Sequence, residues 1–337
     1  MSTTTIDATP EFQERLSRDL RNASRILTAE EARYLVDLYY KMQKQRIATG
    51  NTVAAIARDA RKEGREPEPN LLLSFFHNQE EALEGQIKAS LDRYSLSQPW
   101  GKWMRAVHGI GPVIASGFLA HFDIEKAPTA GHMLRFAGQD PTSKWEKGQK
   151  KPWNSDLKVI CWHAGNSFIK FRGSKKDMYG KLYDTRKNYE LIRNSSGELA
   201  EQAKGYLERF NFSRDTVAKS FYEKGMLPPG HIHARVRKWI VRLFISHMHD
   251  VGYFIHYGNT GPRPYANEYL RELLIEKLGH AHIVAPPAMG TIDGLEEAIK
   301  ARSPVIDIET YFEKLKDRWG IAPKSNTDLV EDGDTPD

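Results

Sequence analysis

The stretch Arg105–Phe122, RAVHGIGPVIASGFLAHF, decides the fold of its region. An apolar run leads into Gly109-Ile110-Gly111, and Pro112 opens a second apolar run rich in small residues. A dinucleotide or phosphate loop needs G-x-G-x-x-G after a strand, or a Lys-Ser/Thr pair after the last glycine. Here no third glycine stands at that spacing, no such lysine follows, and the preceding segment has helical periodicity. The stretch therefore reads as two helices joined by a tight turn. Glycine takes positive φ at little cost, and proline suits a first helical turn. Ala115, Ser116, Gly117 and Ala120 let the second helix lie close to a neighbour.

Two functions fit that geometry: packing alone, or a grip on a nucleic-acid backbone. Backbone N–H groups at a helix N-terminus, aided by the helix dipole, attract phosphate oxygens. Gly109, Ile110, Gly111 and Val113 are the candidate contact residues, with the amides of Ile110, Gly111 and Val113 aimed at one phosphate. Such a grip positions a polymer without reading its sequence.

The charge distribution favours the second function. Residues 101–264 hold 27 lysines and arginines against 14 acids, a surplus of 13. Residues 1–100 hold 14 against 15, and residues 265–337 hold 8 against 15. A basic body between near-neutral and acidic flanks suits a polyanion, with DNA favoured over RNA. No apolar run approaches the roughly 18–20 residues of a membrane span, so no membrane partner is expected. The N-terminus lacks the order of a secretory leader. Cys161 is the single cysteine, which excludes an internal disulfide and a cysteine-based zinc site and points to a cytoplasmic setting.

Outward from the hairpin the chain reads as all-α. Residues 1–98 form a helical bundle or arm whose first ten or so residues are disordered. Thr28-Ala-Glu-Glu31 is a capping box opening a helix to Thr49-Gly50; a separate helix follows from Asn51 to Lys62. Leu71–Tyr94 is amphipathic and offers a seam for homo-oligomers. Residues 99–260 form the basic domain, with helices near 155–171, 174–193, 214–224 and 231–257. Helices near 266–278, 292–302 and 307–319 are expected in the C-terminal region 261–324, before an acidic disordered tail at 325–337.

The match to known patterns runs beyond the hairpin. Gly-Ile-Gly-Pro is followed by Asp123-Ile-Glu-Lys-Ala-Pro128 and Leu134-Arg-Phe-Ala-Gly-Gln-Asp-Pro141. In that order these segments resemble the C-terminal transposase domain of the insertion-sequence 110/116/902 family. Tyr179–Tyr183 and His233–His256 resemble its closing helices less closely, so the likeness covers about half the chain. It implies DNA recombination in a mobile-element setting. The family's N-terminal RNase-H-like domain, with four acidic metal ligands, has no counterpart in the helical pattern of residues 1–100, and no metal or cofactor is expected. The family also places a nucleophilic serine followed by glycine after the matched proline. Here Lys147 precedes Gly148, and Ser143 and Ser155 are the nearest hydroxyls. A serine needs an activating partner to attack. The resemblance thus implies a transposase-like binding protein, with a divergent recombinase as the enzymatic alternative and a protein-interaction scaffold as the third.

Basic residues interleaved with aromatics supply further contacts. Lys144, Trp145, Lys147, Lys150, Lys151, Trp153 and Lys158 combine phosphate-neutralising charge with stacking surfaces. Arg235, Lys238 and Arg242 share one helical face and offer a second surface. His231/His233 and His247/His249 have i, i+2 spacing, which points side chains apart on a helix and makes no metal site. A lysine-dependent glycosylase is excluded because Val113 stands at the lysine position.

Overall fold

The computed structural model describes residues 15–66, 70–174, 176–262, 284–302 and 308–319. It contains thirteen α-helices and no strand among those residues, so the chain is all-α. The expected disordered ends at residues 1–10 and 325–337, and the helix expected near 266–278, lie outside the described residues. The chain divides into two compact units: Met1–Gly101 with Ala115–His121, and Lys102–Ile114 with Phe122–Asp337.

In the first unit, α1 (Arg18–Ala23) precedes two long helices, α2 (Ala29–Lys62) and α3 (Leu71–Ser97). The capping box is realised: the Glu31 amide donates to Thr28 Oγ1, and the Thr28 amide donates to Glu31 Oε2. The sequence predicts a break at Gly50, whereas α2 runs through it. A glycine inside a helix costs only about 1 kcal/mol, and close packing offsets that. A Cβ at Gly50 would lie 3.3 Å from His77 Nε2, so the missing side chain lets α2 approach α3. The pairs Arg46–Glu84 (2.6 Å) and Thr49–Glu80 (3.2 Å) fix the antiparallel register. Residues 115–121, the C-terminal part of α5 (Pro112–His121), belong here and not with the basic domain. Ser116 Oγ donates to the Leu91 carbonyl, and Arg33 donates to the Ala120 carbonyl.

The second unit is built on α11 (Pro229–Tyr257), which Pro229 opens at its first turn and Gly258, at φ +71°, closes. Around it lie α6 (Ala130–Phe136), α7 (Ser155–Lys170) and α8 (Met178–Ser195). Its core is aromatic. Trp103, on α4 (Pro99–Ala106), stacks on Phe244 at 5.9 Å, and Phe168 and Tyr179 meet the same ring at 5.3 and 5.5 Å. The short helices α9 (Ala200–Arg209) and α10 (Val217–Glu223) pair beside the start of α11. Beyond them come α12 (Leu295–Arg302) and α13 (Ile308–Trp319). The helix predicted from 174 starts at Met178, because the Asp177 carboxylate caps it by accepting from the Gly180 amide at 2.7 Å.

Candidate nucleic-acid interface

Gly109 and Gly111 do different work in the hairpin. Gly109 sits at φ +91°, and a Cβ there would lie 3.2 Å from the Phe168 ring. Its carbonyl accepts from Ser167 Oγ, while the His108 Nε2 donates to the Phe171 carbonyl at 3.0 Å. The turn is thereby fastened to the C-terminal end of α7. Gly111 has no positive φ, and a Cβ there would meet nothing within 4 Å. The Ile110 amide, expected among the phosphate donors, donates to the Val107 carbonyl at 3.1 Å, and the Ile110 side chain is buried. Of the expected donors that leaves the amides of Gly111 and Val113, at the start of α5 where amides have no intrahelical partner.

The loop from Gln139 to Asn154 packs on both α7 and α11. Trp153 lies against Gly138, where a Cβ would come within 2.8 Å of the indole, and Lys158 Nζ sits 4.0 Å over the Trp153 ring. Trp145 meets Trp153 edge-on at 6.5 Å and donates Nε1–H to the Gln149 carbonyl at 2.7 Å. Lys151 Nζ lies 5.8 Å over the Trp145 ring, and Lys144, Lys147 and Lys150 are exposed. On the α11 side, Arg242 Nε donates to the Gln139 carbonyl at 2.8 Å. The loop and the α11 face, two separate surfaces in the sequence reading, meet here.

Their meeting point is a cluster of cations. Burial lowers the Lys158 pKa, and Lys238 and Lys151 lower it further. Partial burial, then Arg242 and Arg237, does the same to Lys238. Burial also lowers Arg237, whose guanidinium donates to Asn166 Oδ1 at 3.0 Å and lies 5.5 Å over the Trp162 ring. Burial is the larger cause in each shift, and at Lys158 and Lys238 the neighbouring cations add to it. Arg235 goes elsewhere: its Nε is 2.9 Å from the buried Glu190 carboxylate, and it also donates to Gln202. That carboxylate gathers Arg186 (2.6 Å) and Arg193 (3.4 Å) as well.

Trp162 and Arg237 were not among the expected contact residues. Arg237 crosses α7 at Gly165, where a Cβ would lie 2.6 Å from the Arg237 stem, and so reaches Trp162. A glycine inside a helical pattern is the sequence signal for such a crossing.

Ser143 Oγ donates to Asp140 Oδ2 at 3.2 Å, and Thr142 donates to Oδ1. Burial raises the Asp140 pKa, but the bonds from Thr142 and Ser143 and the Arg135 charge outweigh it and hold the carboxyl below its ordinary range. Ser155 is exposed at the first position of α7, after the Asn154 cap. The paired histidines separate as expected. His247 donates Nε2–H to Val284 O and accepts from Tyr179 OH, whereas His249 bonds the Ala127 carbonyl. His233 bonds Tyr183 OH, and no metal-binding group of three or more occurs among the described residues. No described helix is long and apolar enough to cross a membrane.

The chain matches no protein-family model, no curated protein and no solved structure.

Proposed function

We propose that this protein binds nucleic acid, DNA first, by gripping its phosphate backbone. The observation that carries the reading is the cluster of Lys158, Arg237 and Lys238: Lys158 feels the charges of Lys238 and Lys151, and Lys238 those of Arg242 and Arg237. Like charges held together oppose folding, and a polyanion relieves that repulsion. The hairpin adds neutral donors on the same scaffold. Lys158 and Ser167 are nine positions apart on α7, so the hairpin lies about 13 Å from the cluster along the helix. The likeness of residues 103–141 to the insertion-sequence 110/116/902 transposases supports DNA as the polymer and a mobile-element origin. A strand-transfer role for Ser143 receives less support, because a carboxylate held below its usual range is a weak base.

The test is an anisotropy titration over a range of salt. Affinity is expected to fall linearly in log–log form, with a slope of about −0.9 per phosphate contacted on duplex DNA. Gly111→Glu, which has space to fold, is expected to remove most of the affinity. No binding to DNA or RNA at about 50 mM salt would overturn the proposal.

A second reading rests on another observation. Leu72, Phe75 and Phe76 stand exposed on α3, an apolar strip suited to self-association or to a protein partner. Sedimentation of the full chain and of Phe75→Glu/Phe76→Glu separates this role from nucleic-acid binding: the variant is expected to lose self-association and keep DNA affinity.

A further inference from the structure

The cation cluster has half-exposed aromatic rings near it, and those rings say something about the polymer. On α7 stands Trp162, 49% exposed beneath the Arg237 guanidinium. Near Lys238, beside the start of α11, Phe210, Tyr206 and Tyr222 form a parallel stack, with centroids 5.7 and 5.3 Å apart and planes within 10° and 9°. His231 meets Tyr206 edge-on at 4.7 Å, and it lies two helical turns before Lys238 on the same face of α11. The outermost ring of the stack, Phe210, is 48% exposed, with the Arg209 guanidinium 5.6 Å away. The stack thus ends on a half-exposed ring, which Phe212 also meets edge-on at 6.4 Å.

A duplex presents phosphates and base edges, because its base faces are already stacked on one another. Cations alone would serve such a ligand, and half-exposed rings would add nothing. A single strand offers both phosphates and base faces, and each stacked base contributes about 1–3 kcal/mol. Resting on the nucleic-acid reading above, we propose that the bound strand is single: its phosphates sit on Lys158, Arg237 and Lys238, and unpaired bases stack on Trp162 and Phe210. A lysine-and-tryptophan surface serving only to hold its own loop would not need exposed rings on other elements, Trp162 on α7 and Phe210 at the end of α9, near the same cations.

Four probes of about 16 nucleotides test this: oligothymidine, the matching duplex, an abasic strand with the same phosphates, and oligouridine. Oligothymidine or oligouridine is expected to bind more tightly than the duplex and the abasic strand, and the tighter of the two identifies DNA or RNA as the source. Trp162→Ala is expected to weaken single-strand binding about fivefold to a hundredfold and leave abasic binding unchanged. Trp162→Phe keeps most of the affinity. Phe210→Ala, at the end of α9, gives the same split without relying on the fold tolerating a change at Trp162. Duplex binding as tight as single-strand binding overturns the inference, as does equal loss on oligothymidine and abasic strand. Salt-dependent binding that ignores both ring substitutions leaves the backbone reading standing and removes this one. If none of the four probes binds at about 50 mM salt, both fall.

Discussion

Two groups of cations lie on the same helix and are treated in opposite ways. Arg235 reaches a carboxylate that is 1% exposed, Glu190, which also holds Arg186 and Arg193. Three residues later, Lys238 faces Lys158, Arg237 and Arg242. The first group is matched within the fold and acts as a joint between α8 and α11. The second is left positive at the surface, where its repulsion weakens the folded state. An unmatched cluster beside a matched one marks the place where an external anion belongs.

Breaking the matched group should have the largest effect. Glu190→Ala removes the carboxylate shared by Arg186, Arg235 and Arg193; Arg193 keeps Glu198 at 2.8 Å, but Arg186 is itself largely buried. Removing one partner from a buried ion pair costs about 3–5 kcal/mol, and that loss is expected in a denaturant melt. A loss below 1 kcal/mol would mean that Glu190 is not the joint described here. Lys158→Met with Lys238→Met should do the reverse: stability holds or rises, while nucleic-acid affinity drops. The log–log salt slope should become shallower by about 1.4 on single strands and 1.8 on duplex, two contacts' worth. An unchanged slope would show that these lysines touch no phosphate.

The glycines sharpen the contrast between scaffold and contact. Gly109→Ala forces a side chain into φ +91° against Phe168 and is expected to cost about 1–2 kcal/mol of stability. Gly111→Ala should stay within about 0.5 kcal/mol of the parent, since its Cβ enters open space. Equal losses at the two positions would place both in the scaffold and leave the hairpin a packing device.

Sequence patterns made the local architecture legible and left the long-range pairing hidden. The Thr28–Glu31 box and the Gly-Ile-Gly turn are local chemistry, and each appears as expected, while the long helix expected from 231 starts two residues earlier, at Pro229. Gly50 misled because its value is tertiary: it matters only once His77, on the next helix, lies against it. The same holds for the site. Periodicity puts Arg235, Lys238 and Arg242 on one face, but it cannot see that Glu190 on another helix claims Arg235. Nor can it see Arg237 laid across Gly165 onto Trp162, a meeting of residues far apart in the chain. The Ile110 amide was misassigned for a smaller reason: the turn uses that N–H to close itself on Val107.

The smallest effect expected is also the one that couples the two cation groups. His231 has its pKa lowered from 6.5 by burial and then by Arg235 and Lys238, one cation from each group. The unfolded chain therefore takes up a proton near 6.5 while the folded chain waits for a lower pH. Between those two values the unfolded state binds more protons, so stability falls as pH drops from neutrality through 6.5. His163, lowered by burial alone, contributes in the same direction, so the difference between the parent and His231→Asn isolates His231. A phosphate seated on Lys238 would offset part of the repulsion and raise the His231 value. Linkage then requires affinity for the strand to rise as pH falls across the same window, and His231→Asn to flatten that rise. If affinity is independent of pH between 7.5 and 5.5 in both proteins, roughly one unit either side of the ordinary histidine value, no phosphate approaches this end of α11. The strand would then have to lie toward Trp162 and the hairpin.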